Sequence, residues 1–287
     1  MSEILKGSPV AAAINQRSTD MIGELNKKGV KPVLAIVRVG EKPDDLSYER
    51  SAMKRAAALG IEVRNEVMAQ DVSREIFYRK IEELNDDDSV HGILLLRPLP
   101  WHLDEEKARN MIAEDKDVDG CSDISLSSLL TGEKRGFVPC TAQSVIEILD
   151  HYGIETAGKK AVVVGRSLVI GKPVSLLLLN RSATVTVCHS RTEDIRAETD
   201  KADIVIAAIG KAEFFGREYF RAGQTVIDVG MNYSEKKGKF CGDVCFEQAE
   251  PLVENITPVP GGVGSVTTSV LMSHVVLAAE RGARKEK

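Results

Sequence analysis

The sequence predicts an α/β protein made of two consecutive units, each a parallel sheet covered by helices. Three observations lead there: a length of 287 residues, β-branched apolar runs that alternate with helical patterns twice over, and a glycine-bearing turn between a strand and a helix in the second alternation. At about 100–200 residues per domain, the length fits one large domain or two ordinary ones. Strands separated by helical segments imply βαβ connections and parallel pairing.

The elements follow in order. Val33–Val39 reads as a strand, residues 48–59 as a helix, 61–68 as a strand, 73–85 as a helix and 92–96 as a short buried strand. Residues 117–141 are loop-rich and then helical, and a helix over 142–152 joins the two alternations. The second alternation has strands at 161–165, Thr184–Cys188, 203–210 and 224–230, with a helix from about Lys172. A last helix over 266–281 follows a Gly/Pro loop and can pack on either unit.

Hydrophobic residues make up 43% of the chain and charged residues 28%, the balance of a folded globular protein. Thirty-eight Lys and Arg against 43 Asp and Glu give a net charge of −5, with both signs mixed along the chain. No basic stripe points to nucleic acid or anionic lipid. No apolar run approaches the roughly 18 residues of a membrane span, and the N-terminus lacks the pattern of a secretion signal. Cys121, Cys140, Cys188, Cys241 and Cys245 are dispersed without a CxxC. Cys241 and Cys245 offer half a metal site without the other half, so no metal is expected. Reduced thiols in a cytoplasmic protein are the expectation.

The chemistry-bearing stretch is Val162–Pro173, read as G-x-S-x-x-x-G-x-P from Gly165. Gly165, Arg166, Ser167 and Gly171 stand where a buried strand turns into a helix. There glycine admits a pyrophosphate close to the backbone, and the helix N-terminus offers free N–H groups. The spacing departs from G-x-G-x-x-G, so a plain strand–helix turn stays open from this stretch alone. The next strand ends in His189-Ser190-Arg191, where a NAD-preferring unit carries an acid for the ribose 2′-hydroxyl. Ser190, Arg191 and Arg166 instead suit a 2′-phosphate and favour NADP. Solvated loop arginines, or Glu193 and Asp194 acting on a NAD ribose, are the alternatives.

Several segments together resemble one family: the glycine loop at 40–48 ahead of a helix, KDVDG at 116–120, PCT at 139–141, GRSxxxGxP at 165–173, CHSRT at 188–192 and ITPVPGGVG at 256–264. The chain resembles the FolD family of methylenetetrahydrofolate dehydrogenase/methenyltetrahydrofolate cyclohydrolases over nearly its whole length. That resemblance implies two α/β domains, the second a Rossmann-like dinucleotide-binding domain, with an active-site cleft between them. The implied division is 1–145 plus 267–287 for the folate-binding catalytic domain and 146–266 for the NADP-binding domain. It further implies Tyr48 and Asp119 as catalytic residues that also hold the folate, with Tyr48 against its ring system and Asp119 accepting from the N–H edge of the pteridine. Leu96, Pro260, Gly261 and Gly262 would line the folate. Met231, in a Gly-Met-Asn stretch, would join the nucleotide residues beside the nicotinamide. A homodimer associating through the nucleotide domain is implied as well.

Two positions depart from the bifunctional pattern. In the family's G-D-N-P-A-S-x-x-Y-x-x-x-K, aligned on Gly40 and Tyr48, the lysine position holds Ala52. In its V-Q-L-P-L-P, aligned on the prolines, the glutamine position holds Leu96 and the next holds Arg97. In bifunctional members that lysine and glutamine act together to help water open the methenyl ring, which alanine and leucine cannot do. Lys54 lies two residues, and so about 160°, round the helix from Ala52 and reads as a surface charge. The expectation is an NADP-dependent dehydrogenase with weak or absent cyclohydrolase activity, acting with a separate cyclohydrolase. The alternatives are a bifunctional enzyme whose base has moved to Arg97 or Lys54, and an inactive folate or NADP binder. Gly210-Lys211-Ala212, Thr141-Ala142 and Ser265 each lack a proline common in the family.

Overall fold

The computed structural model describes residues 2–133, 135–235 and 237–285. The chain starts with β1 (Glu3–Ile4) and the long helix α1 (Gly7–Lys27). Next comes β2 (Val33–Val39), buried at all seven positions. A strand buried on both faces needs cover on both sides. α2 (Pro43–Leu59), β3 (Glu62–Met68), α3 (Arg74–Asp86) and β4 (Gly92–Leu95) follow. β2 pairs in parallel with β3 and β4, giving the order β3-β2-β4. Ala35, Val37 and Val39 share a core with Phe77, Ile81 and Leu84 of α3. Each of the valine, isoleucine, leucine and phenylalanine side chains contributes about 1.5–3 kcal/mol by burial, and Phe77→Ala would cost about 3–5 kcal/mol.

α2 starts at Pro43, five residues ahead of the expected start at residue 48. The physical signal is a proline in the first turn, where its missing N–H is not needed, and Asp44 and Asp45 at the positive end of the helix dipole. It ends at Gly60, whose φ of +74° suits glycine. α4 (Glu105–Met111) and α5 (Asp123–Thr131) lead out of this unit.

The chain continues through α6 (Cys140–His151), β5 (Lys160–Val164), α7 (Gly171–Asn180), β6 (Thr184–Cys188), α8 (Ile195–Asp200), β7 (Ile204–Ala207) and β8 (Thr225–Asp228). β9 (Asn232–Ser234) and β10 (Lys239–Cys241) form an antiparallel hairpin, before α9 (Phe246–Ala249), β11 (Asn255–Ile256) and α10 (Gly264–Lys285). A parallel sheet runs β1-β11-β8-β7-β5-β6. β6 lies on one side of β5 and β7 on the other, so the strand order reverses at β5, where open α/β sheets bind ligands. Val162, Val164, Val205 and Val226 pack with Phe215 and Phe220 in the core beneath.

The compact units are Met1–Ala12 with Thr141–Thr267, and Ala13–Cys140 with Thr268–Lys287. This corrects the expected division at the N-terminus: the first twelve residues go with the six-stranded unit. The reason is pairing at long range. Glu3 and Ile4 lie opposite Asn255 and Ile256, the Leu5 amide donates to Ile256 O at 2.8 Å and the Gly7 amide to Gly261 O at 2.8 Å. In the other unit α10 packs against β4 at Gly92, where a Cβ would lie 2.7 Å from Val118 and 3.2 Å from Val275. Among the described residues no helix is long and apolar enough to cross a membrane.

Candidate active site

In the three-stranded unit, the residues of KDVDG divide their work. The Lys116 ammonium donates to Leu84 O, Asn85 O and Asp87 O at 3.0, 2.7 and 2.8 Å, closing the end of α3. Asp117, fully buried, accepts from the Cys121 and Ser122 amides at 3.0 and 2.8 Å and from the Ser125 hydroxyl at 2.7 Å. Gly120 has φ +67°, and a Cβ there would meet Phe137 O at 2.5 Å. These three hold the loop, and Asp119 is the carboxylate of the motif that takes no part in that scaffold.

Asp119 Oδ2 lies 3.5 Å from Nη2 of Arg97, whose Nη1 is 3.8 Å from Glu105 Oε1. Burial pushes the Asp119 carboxyl up to about 6, against the pull of Arg97 and with a further push from Asp117. Tyr48 faces the same group. Burial holds its phenol well above the ordinary value, and the charges of Asp119 and Cys140 act in the same direction. The Cys140 thiol is likewise kept neutral, chiefly by burial, and it donates to Val118 O at 3.3 Å. The cluster therefore holds a neutral phenol O–H beside a carboxylate that is mostly ionised above about pH 6, a donor and an acceptor suited to a polar heterocycle edge.

The two departures lie in the same unit. Ala52 is on the buried face of α2 with Asp45, Glu49 and Ala56, at 0% exposure, and Leu96 is 6% exposed at the end of β4, its amide donating to Val37 O at 3.0 Å. Neither carries an ionisable group. Lys54 is exposed. One turn before Ala52, Glu49 pairs with Arg38 of β2, Oε2 to Nε at 2.5 Å, and the Arg38 guanidinium also donates to Gly40 O. Sequence reasoning missed Arg38 and the partners of Arg97; the signal was an arginine inside or just after an apolar strand.

In the six-stranded unit, Gly165 has φ +135°, and a Cβ there would lie 2.2 Å from Ala208 O. At Gly171 a Cβ would lie 2.3 Å from Gly165 O, so glycine lets α7 begin directly against the end of β5. Arg166, Ser167, Ser190 and Arg191 are exposed. Ser167 Oγ accepts from the Ile170 amide at 3.3 Å, shaping the turn. Asp194 is engaged as the N-cap of α8, accepting from the Ala197 amide at 3.0 Å. The arginines and hydroxyl at this strand end fit a phosphorylated ribose, and the helix start fits a pyrophosphate.

Asp243, which sequence reasoning also missed, builds the neighbouring loops. Fully buried, it accepts from the amides of Ile209, Gly210 and Lys211 at 2.6, 3.0 and 2.8 Å and from Asn232 Nδ2 at 2.9 Å. The turn that lacks the family's proline after Lys211 is thus held by a carboxylate. Met231 is 57% exposed and its methyl lies against Gly264. In the following loop Pro260 and Gly261 are exposed, Gly261 has φ +106°, and a Cβ on Gly262 would meet Pro258 O at 2.6 Å. Cys245 gathers with Glu213 and Glu247, ligand atoms within 4.8 Å of one another, but Lys237 Nζ sits 2.6 and 3.2 Å from those carboxylates and already supplies the cation.

A doubly wound unit with a glycine turn between strand and helix, on one chain with a carboxylate–phenol pair, fits the class of pyridine-nucleotide oxidoreductases. Residues 5–119 match the catalytic domain of tetrahydrofolate dehydrogenase/cyclohydrolase, and residues 139–283 its NAD(P)-binding domain. The chain belongs to the tetrahydrofolate dehydrogenase/cyclohydrolase family. It is 47% identical over 281 residues to the bifunctional protein FolD of Clostridium botulinum strain Langeland, covering 98% of this chain and 99% of that protein. The crystal structure of the bifunctional FolD of Campylobacter jejuni superposes with a TM-score of 0.95 at 36% identity, covering 98% of this chain and 99% of that one. The FolD of Trypanosoma brucei, crystallised with NADP and an inhibitor, gives 0.92 at 36% identity, covering 99% of each chain.

Proposed function

We propose that the protein oxidises 5,10-methylenetetrahydrofolate to the 5,10-methenyl compound with NADP, and that its cyclohydrolase activity is weak or absent. The observation that carries this is the buried Ala52 and Leu96 at the two hydrolytic positions, beside an intact Tyr48–Asp119 pair. NADP, when bound, supplies the hydride acceptor. Arg166, Ser190 and Arg191 hold its 2′-phosphate, and the start of α7 with Gly165 and Gly171 takes the pyrophosphate.

Asp119 accepts from the pteridine N–H groups, and Tyr48 lies against the ring with its phenol protonated. The nitrogen lone pairs of the substrate expel the hydride from the bridging carbon and spread the positive charge over both nitrogens. No protein base is required for that step, so binding and orientation suffice. Hydrolysis of the methenyl cation requires an activated water. Arg97 stays charged and Lys54 is exposed, so neither replaces the lysine. The bifunctional reading draws on the names of relatives such as the 47%-identical FolD, and the residues at positions 52 and 96 speak against it.

A separate cyclohydrolase then consumes the product. A homodimer through the nucleotide unit is supported by the edge position of β6, where Val187 is 41% exposed, and by Leu179, 56% exposed on α7. The test is turnover of methylenetetrahydrofolate with NADP and with NAD. NADP reduction at the higher kcat/KM is expected; no turnover with either nucleotide contradicts the proposal.

A further inference from the structure

Arg97 stands at the end of β4 where the bifunctional pattern has an uncharged leucine. Its guanidinium is drawn to two carboxylates, Asp119 at 3.5 Å and Glu105 at 3.8 Å, and neither contact is a short, saturating hydrogen bond. Its Nε is buried and has no hydrogen-bond partner. Glu105 is meanwhile committed elsewhere, its Oε2 accepting from the Leu99 amide at 3.0 Å. Arg97 thus supplies charge to Asp119 over a long contact, with the Cys140 thiol as a further, weak hydrogen-bond donor to that carboxylate.

The groups around Asp119 make that charge necessary. Asp117 approaches from its own loop, Tyr48 from α2, and Cys140 from the start of α6, with His274 of α10 behind Cys140 at 3.7 Å. Cys121 lies on the Arg97 side. Burial keeps the phenol and thiols neutral and Asp117 pushes the Asp119 carboxyl further up, so Arg97 is the guanidinium that offsets burial there. A carboxylate accepts two N–H groups; a protonated carboxyl presents one of its oxygens as a donor and is mismatched to a pteridine edge.

We propose that Arg97 is a positioning residue for folate, acting through Asp119: it keeps that carboxylate ionised and open to the pteridine N–H edge. The proposal rests on the folate reading above. Opposite charge at this range moves a carboxyl by about 1–3 units, so loss of Arg97 shifts the binding-competent form toward alkaline pH.

The test is KM for methylenetetrahydrofolate and for NADP, with kcat, from pH 5.5 to 9 in wild type, Arg97→Leu and Arg97→Lys. Arg97→Leu is expected to raise the folate KM about tenfold at pH 7 and less than about twofold at pH 9, with the NADP KM unmoved and Arg97→Lys restoring the wild-type profile. An unchanged folate KM in Arg97→Leu, or a rise equal at every pH that lysine does not rescue, overturns the proposal. If the leucine variant does not fold, wild type and Arg97→Lys decide: a shared rise in folate KM below about pH 6 supports it, and a flat profile overturns it. Absence of wild-type turnover with either nucleotide instead overturns the folate reading itself.

Discussion

Asp243 of the six-stranded unit and Asp119 of the three-stranded unit are carboxylates held in opposite ways. In the nucleotide unit, Asp243 receives four hydrogen bonds between 2.6 and 3.0 Å, three of them from consecutive backbone amides. In the three-stranded unit, Asp119 faces an arginine at 3.5 Å and is pushed up to about 6. A saturated carboxylate is a fixed part of a loop, whereas a loosely paired one retains capacity for a ligand. The motifs differ too: the six-stranded unit carries the glycine turn with Arg166 and Arg191, while the three-stranded unit carries Tyr48 and Asp119 with Ala52 and Leu96 at the two positions that depart from the bifunctional pattern.

Substitutions at the two carboxylates sharpen that contrast most. Asp243→Ala leaves four part-buried donors without their carboxylate and is expected to destabilise the protein by about 2–3 kcal/mol in urea unfolding, with a higher KM for NADP. A loss below about 0.5 kcal/mol would remove Asp243 from its scaffold role. Asp119→Asn should leave the unfolding midpoint nearly unchanged and lower kcat/KM for methylenetetrahydrofolate about 100-fold, read from initial rates, because the amide nitrogen faces a donor edge.

Smaller effects are expected where charge meets solvent. Arg166→Ala with Arg191→Ala should raise the NADP KM about 30-fold and change the NAD KM less than about twofold. Equal effects on the two nucleotides would show that the arginines are solvated loop charges. Ala52→Lys with Leu96→Gln is expected to raise methenyl hydrolysis about tenfold, measured by decay of the methenyl compound. No gain would mean that the pocket around those positions has diverged too.

Much of this architecture was legible locally. Val33–Val39 and Thr184–Cys188 are strands as their β-branched runs imply, and Gly165 and Gly171 occupy the strand–helix turn their spacing suggests. The helix over residues 7–27 and the two-residue strands β1 and β11 were not legible. A two-residue strand carries no periodicity, and its existence depends on partners some 250 residues away in sequence. The start of α2 was misplaced because Gly40-Glu41-Lys42-Pro43 reads as a loop, although Pro43 and the two aspartates after it mark a first turn. At the site, the missing lysine and glutamine were visible as identities in the sequence. The roles of Arg97, Arg38 and Asp243 were not, since their partners Asp119, Glu49 and the 209–211 amides come together only on folding.

The central claim is that one of the family's two reactions has been lost from a pocket that still binds folate. The direct measurement is a paired assay on a single preparation, dehydrogenation of methylenetetrahydrofolate with NADP and hydrolysis of the methenyl compound, each corrected for its uncatalysed rate. The expected result is brisk NADPH formation with the methenyl compound accumulating and its hydrolysis within about twofold of the spontaneous rate, since the general acid–base contribution of about 10²–10⁴ is missing. Hydrolysis at a rate comparable to dehydrogenation would contradict it.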